Sequence, residues 1–383
     1  MSTTGRIDTS LPATLESAGF VRLVTRADGD GLAAAGVLAR ALSARGTPFQ
    51  VAVGRTVAGR TGRVGDVDER DESTVTIVIG AADADAHRLE SSDRPATLAA
   101  CDIVRDLGGS PDPVLALAGA FAAGVEPGAG ETELLLEAAR DRGLLEGRPG
   151  IAVPTDDLVD GLAHSTLCRG PWSGDREAVQ KALEGIDLSD ELDGDDHRRV
   201  GSLVALDVVG DGDASERAAE AIGRCLHPYA TPDGPFATVG GYADVLEATA
   251  RTDPGTGVAL AIGHGVETAA LSAWRTHARR THEALDGAST GRYDGLFVVG
   301  VDGPVETAAR LAATYRSPEP LALATGEDEA GLFALEEQSL GGPLEAMARE
   351  LGAEYDVGRR RGYLRYDSDV DDSTIITTVR ETL

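Results

Sequence analysis

Short β-branched segments alternate with Ala- and Leu-rich ones through the first third of the chain, and this alternation narrows the fold more than any other feature. Residues 21–25 (VRLVT) read as a buried strand, the polar turn RADGDG follows, and a helix is predicted from about Leu32 to Arg45. Residues 49–53 (FQVAV) and 74–79 (TVTIVI) read as further strands. TVTIVI is β-branched throughout, as expected of a parallel strand covered on both faces. Strand and helix in turn imply a parallel α/β sheet. The Gly-, Arg- and Asp-rich stretch 54–73 is expected to be a loop.

Beyond it, helices are predicted over 95–107, from Asp112-Pro113 onward, and over 131–143. The stretch to 230 reads as mostly helical, broken by Pro154, Pro171 and the acidic loop DLSDELDGDD, with SLVALD (202–207) as an apolar strand-like run. PYATPDGP (228–235) holds three prolines and a glycine and is the best boundary. A helix is expected near 241–251, TGVALAIG (256–263) is expected to open a second domain, and a long helix covers 265–285. Strands follow at 295–301, 320–324, 331–335 and 362–366, with helices at 303–315 and 344–351 and a last one capped by Ser373. The expected division is 1–230, a linker at 231–255, and 256–383.

The chain has 383 residues and carries 64 Asp plus Glu against 35 Lys plus Arg, a formal net charge of −29, and Lys181 is its single lysine. A hydrophobic content of 42% in patterned segments excludes a disordered acidic tail. The charge fits a surface adapted to a salt-saturated cytosol, where a Debye length of about 3 Å at 1 M screens self-repulsion. It resembles the proteins of halophilic archaea. In such a cell net acidity does not exclude nucleic acid as a partner, and local arginine clusters matter more than the total. No apolar run reaches the ~18 residues of a membrane span, and the N-terminus lacks a basic segment followed by an apolar one. Cys101, Cys168 and Cys225 lie far apart, so neither disulfides nor a structural zinc is expected. The expected location is the cytoplasm.

Strand–TRADGDG–helix is the most informative local feature. Asp28 and Asp30, two residues apart at the carboxyl end of a strand, can converge on one divalent cation, and hard oxygen ligands suit Mn²⁺ or Mg²⁺. The alternative is an ordinary loop in which one aspartate caps the helix.

The segment VRLVTRADGDGLAAAGVLARAL resembles the first motif of the DHH phosphoesterase superfamily, HxDxDG before an Ala-rich helix, and in particular archaeal RecJ-like proteins. The likeness continues through ATLAACDIVRDLGGSPDPVLALAGAFAAG, DLVDGLAHSTLCRGPWSGD and PFATVGGYADVLEATA, and then through VVGVDGPVETAARLAATYRS and a Gly-Gly loop before a helix. The resemblance implies an α/β chain: a parallel-sheet DHH domain with a helical insertion and a smaller α/β DHH-associated C-terminal domain.

Several family positions are altered. Arg26 stands where the first-motif histidine belongs; a guanidinium cannot ligate a metal and would instead offset carboxylate charge. Gly80 replaces the aspartate expected after TVTIVI, with Asp83 and Asp85 following out of register. The Asp-His-His triplet has no counterpart, and His87 stands alone in its region. Of the family's ligand set, Asp28, Asp30 and Asp207 remain, a poor basis for a two-metal hydrolytic site.

For nucleic acid, the resemblance points to Gly341 and Gly342 at a helix start, with Pro343 in place of a histidine at the first helical position, and to Arg316 in TYRS. GRRRGYLRY adds Arg359, Arg360, Arg361 and Arg365 beside Tyr363 and Tyr366, a phosphate-facing or base-stacking cluster. His164, His227 and His264 read as isolated structural histidines. Two functions follow from the resemblance. One is a catalytically degraded relative that binds single-stranded DNA or RNA, or a replication or repair protein. The other is an active metal-dependent single-strand exonuclease or small phosphoesterase with a rearranged site.

Overall fold

Phe20–Arg26 (β1) is the inner strand around which a four-stranded sheet assembles, in the order β2-β1-β3-β4, with β2 at Phe49–Gly54, β3 at Thr74–Ile79 and β4 at His87–Leu89. All of its pairings are parallel. The computed structural model describes residues 11–65, 73–89, 94–189 and 191–383. They group into two units: one takes the chain up to Glu146 and Thr231–Trp274, the other Gly147–Ala230 and Arg275–Leu383. The two-residue strands β5 (Glu146–Gly147) and β6 (Tyr229–Ala230) mark the crossings. This grouping cuts the chain at other places than the contiguous division expected from the sequence. TGVALAIG does not open the second unit; it is a helix of the first.

The first unit holds α1 (Leu11–Ser17), α2 (Gly29–Arg45), α3 (Val57–Gly65), α4 (Ala96–Asp106), α5 (Pro113–Ala122) and α6 (Glu133–Asp141), then α11 (Val239–Thr252) and α12 (Pro254–Ile262). The second holds α7 (Leu158–His164), α8 (Arg176–Glu184), α9 (Gly194–Gly210), α10 (Ala218–Ala221), α14 (Val305–Leu311), α15 (Gly341–Leu351) and α16 (Asp372–Thr382). Helix α13 (Glu267–Asp286) passes from one to the other at Trp274. Among the described residues no helix is long and apolar enough to cross a membrane. Helix α3 falls in the stretch expected to be a loop.

Small residues set the packing of the first unit. Helix α2 is buried from Gly29 through Ala39, ends in Gly46 in the left-handed conformation at φ 73°, and packs against α4, α5, α11 and α12. Side chains this short let helix backbones approach closely. A Cβ on Gly119 of α5 would collide with Thr97 Oγ1 and Ala33 Cβ. A Cβ on Gly36 of α2 would lie 2.5 Å from the Ala261 carbonyl oxygen of α12. That contact explains why the Gly- and Ala-rich TGVALAIG stretch belongs here.

The second unit is built on a mixed six-stranded sheet in the order β11-β12-β10-β9-β8-β7. Its strands are β7 (Ser289–Tyr293), β8 (Leu296–Gly300), β9 (Leu321–Thr325), β10 (Glu329–Ala334), β11 (Glu354–Val357) and β12 (Arg361–Arg365). Only β8 and β9 run parallel. Alternate residues serve opposite layers, as the two-residue period of a strand requires. Val299, Ala322 and Tyr363 join one core with α14, and Val298, Leu323 and Leu364 join another with α15 and α16. SLVALD, read as a strand, is part of α9. Its start carries a capping box between Asp193 and Asp196, and Val200, Val204 and Val208 bury one face at helical spacing. Helix α16 is capped by Asp371, not Ser373.

A buried polar cluster lies under α13 in the second unit. His282 Nδ1 lies 3.0 Å from Arg169 Nη1, and His282 Nε2 lies 3.0 Å from the Ser165 carbonyl oxygen. An arginine can only donate, so the ring is neutral with its proton on Nε2. Burial, and then the Arg169 charge, push His282 down to about 3. A histidine held below its unfolded value binds its proton more readily in the unfolded chain. Its contribution to stability is therefore present above the unfolded value and is lost as pH falls toward the folded one.

Two outcomes are expected. Replacing Gly119 with Val should lower stability by about 2–3 kcal/mol through overpacking, read as a shift in denaturation midpoint. Between pH 6 and 4 the second unit should lose about 1.4 kcal/mol per pH unit for each proton taken up on unfolding. Replacing His282 with Gln should flatten that slope.

Candidate functional site: a guanidinium at the carboxyl edge of the first sheet

The turn after β1 places Arg26, Asp28 and Asp30 at the carboxyl edge of the parallel sheet, where α/β folds bind ligands. Asp28 is the N-cap of α2 and accepts the Gly31 N–H at 2.6 Å. Asp30 accepts the Ala96 and Thr97 N–H groups at 2.9 Å and the Thr97 hydroxyl at 2.7 Å, and so holds the start of α4. Arg26 joins the two: its Nε lies 2.5 Å from Asp28 Oδ2, and its Nη2 donates to Asp30 Oδ2 at 2.9 Å. The three side chains are 13%, 5% and 1% exposed, so the carboxylate charges are met by the guanidinium and not by water.

Glycines make room for that arginine. Gly80 closes β3 at φ 105°, and a Cβ there would lie 3.4 Å from Arg26 Cβ and Cδ. The position where an aspartate was expected is thus a left-handed glycine packed beside the aliphatic stem of Arg26. A Cβ on Gly31 would stand 2.8 Å from the Arg26 carbonyl oxygen and 3.0 Å from Arg26 Cγ. A second arginine closes the neighbouring part of the edge. Arg60 of α3, 0% exposed, donates from Nε to the Ala81 carbonyl at 2.7 Å and from Nη1 to the Gly54 carbonyl at 3.0 Å. On the other side Glu247 of α11 accepts the Gly29 N–H at 2.6 Å and pairs with Arg251 at 2.6 Å. Arg60, Glu247 and Thr97 had no signal in the sequence tied to this edge.

The metal expected from the resemblance, Mn²⁺ or Mg²⁺, does not fit this arrangement. Such a cation needs carboxylate lone pairs free to face it. Both Asp30 oxygens already accept two donors each, and those of Asp28 face Arg26 and the Gly31 amide. Among the described residues no group of three or more His, Cys, Asp or Glu side chains is arranged to hold a metal. Asp207 belongs to the second unit, on α9, where it accepts the Trp172 indole N–H at 3.1 Å. Asp83 and Asp85 are exposed, and the Asp83 N–H donates to Thr61 Oγ1 at 2.9 Å.

The residues expected to meet nucleic acid all lie in the second unit. Arg359 pairs with Glu337. Arg316 donates to the Leu285 carbonyl at 3.1 Å. Tyr363 is 1% exposed, and its hydroxyl donates to Glu329 Oε2 at 2.8 Å. Tyr366 is buried as well and donates to the Gly326 and Glu329 carbonyls. Base stacking on Tyr363 is therefore corrected: the middle of β12 is covered on both faces. Arg360 and Arg361 are half-buried at the β11–β12 turn, and Arg365 is exposed. Gly341 and Gly342 open α15 with no atom within 4 Å of where their Cβ atoms would stand. Pro343 is the third residue of that helix rather than the first.

His164 is not isolated. Its Nδ1 lies 3.1 Å from Asp160 Oδ1, and Asp160 also meets Arg176 at 2.9 Å and Arg275 at 2.8 Å. Burial alone would raise the Asp160 carboxyl, but hydrogen bonds from His164 and Arg275 hold it well below the usual carboxylate range. This hub organises the DLVDGLAHST segment and leaves His164 a structural role.

A family model described as "Uncharacterized protein rrnAC1427, C-terminal domain" matches residues 288–381. The uncharacterized protein rrnAC1427 of Haloarcula marismortui is 45% identical over 382 residues, which cover 97% of this chain and 98% of the relative. Among solved structures, CDC45 from Entamoeba histolytica aligns at a TM-score of 0.58 with 9% identity, covering 97% of each chain, a likeness of fold. Exonuclease RecJ bound to manganese aligns at 0.46 with 14% identity, over 100% of this chain and 94% of that one.

Replacing Arg26 with Met should cost about 3–5 kcal/mol, the range for removing one partner of a buried ion pair. The measurement is equilibrium unfolding in denaturant. Retained stability would mean that the carboxylates do not need the guanidinium.

Proposed function

We propose, because this chain belongs to the family of Haloarcula marismortui rrnAC1427 and its fold is like that of CDC45 from Entamoeba histolytica, that it acts by binding rather than by hydrolysis. One observation carries the reading: Arg26 occupies both Asp28 and Asp30. A two-metal hydrolase needs cations to activate water and to stabilise the leaving oxygen. A guanidinium can neutralise carboxylates, but it cannot lower the pKa of a coordinated water.

The ligand we propose is single-stranded nucleic acid, held in a replication or repair setting as the superfamily resemblance implies. Support within the second unit comes from the sterically open Gly341-Gly342 start of α15 and from Arg360 and Arg365, which flank β12 at its two ends. The backbone N–H groups of a helix start favour phosphate oxygens, and arginines add a salt-dependent attraction. Arg359 and Tyr363 take no part, being committed to Glu337 and Glu329.

Labelled single-stranded DNA and RNA, offered with Mn²⁺ in molar KCl, should remain uncut by the wild-type protein, while fluorescence anisotropy reports binding that weakens with salt. Mn²⁺ should leave the wild-type melting temperature unchanged and raise that of Arg26→Ala, in which both carboxylates lose their counter-charge while keeping the amide contacts of α2 and α4. Mn²⁺-dependent cleavage lost in Asp28→Asn would overturn the binding reading in favour of an active exonuclease or small phosphoesterase.

A further inference from the structure

The second unit has its own parallel pair of strands, and the carboxyl ends of that pair open onto a cleft of ≈ 420 Å³. Ser289, Gly300 and Thr325 form one row across β7, β8 and β9, since Ser289 pairs with Gly300 and Gly300 with Thr325. The middle position has no side chain. A Cβ on Gly300 would lie 2.6 Å from Ser289 Oγ and 3.9 Å from Thr325 Oγ1, so the Ser289 hydroxyl reaches over the glycine into the place a side chain would take, with the Thr325 hydroxyl beyond it.

Thr325 is 3% exposed, and among the described residues its hydroxyl has no hydrogen-bond partner. Its carbonyl is already used by the Val301 N–H at 2.9 Å. A buried hydroxyl left unpaired is costly unless something in the cleft meets it. The rest of the cleft selects the sign of that something. Glu327, Asp371 and Asp372 line it, and it contains no basic side chain. Among the described residues these acids do not come together as a metal-binding group, and the side-chain oxygens beside Gly300 are the neutral hydroxyls of Ser289 and Thr325. Divalent ions take several carboxylates in direct contact, whereas a weakly hydrated single charge is satisfied by neutral oxygens with acids further out.

The geometry points to a site for a compact monovalent cation, an alkali-metal ion or a primary ammonium group, in the cradle formed by Ser289, Gly300 and Thr325. The site is separate from the carboxyl edge of the first sheet and does not depend on the function proposed for this chain.

Thallium(I) is a usable probe because it mimics potassium and scatters anomalously. Crystals of the full chain transferred from potassium nitrate to thallium nitrate should show an anomalous peak beside Thr325 Oγ1. The peak should vanish in Gly300→Ala, and in Thr325→Val should that first variant not fold. Excess methylammonium nitrate distinguishes the sources: displacement of the peak identifies a site that takes ammonium heads, and persistence identifies one for alkali ions. In solution at fixed ionic strength, potassium should raise the wild-type melting temperature relative to choline and leave that of Thr325→Val unchanged. No anomalous peak, a water alone in the cradle, or a peak that survives both substitutions would overturn the proposal.

Discussion

Two carboxylates buried side by side at the mouth of a parallel sheet must be neutralised, and how this is done determines what the rest of the edge can be. In this chain the counter-charge is Arg26, from the same turn as the aspartates. Everything near it follows. The arginine stem packs beside Gly80, whose φ of 105° favours glycine, and Asp30 meets both Arg26 and the amides that begin α4. Desolvating a charge is expensive unless it is paired, and this arrangement pairs the charges with groups of the protein alone.

The turn itself was legible because its parts are adjacent in sequence: strand, DxD, glycines and an Ala-rich helix lie within one stretch of chain. Arg26 offsetting carboxylate charge was legible for the same reason. What could not be read depends on distant segments. Glu247 reaches Gly29 from 218 residues away, and Arg60 comes from a helix hidden in a stretch whose composition resembles a loop. SLVALD misled because a short apolar run fits strand or helix equally well. The i, i+4 spacing of Val200, Val204 and Val208 was the better guide. Tyr363 misled differently: its arginine-rich neighbours lie toward the strand ends, while it sits where both faces of the sheet are covered.

The two sheets use their carboxyl edges in opposite ways. In the first, guanidiniums fill the space left open in an ordinary α/β fold, and the edge is closed by Arg26 and Arg60. In the second, the single parallel pair ends in a row with a glycine at its centre and hydroxyls on either side. Net acidity makes the contrast meaningful. With 64 acidic residues against 35 basic ones, arginines placed inside a fold are withdrawn from a small supply, and a cleft left without one is biased toward positive ligands.

A counter-ion joined to the backbone differs from a dissolved one in supply. Arg26 is present at a fixed effective concentration set by one residue of intervening chain, so its occupancy of the aspartates is independent of mass action. The contacts that hold the two aspartates therefore draw on no dissolved ion, and their arrangement is set by the chain instead of by loading and emptying.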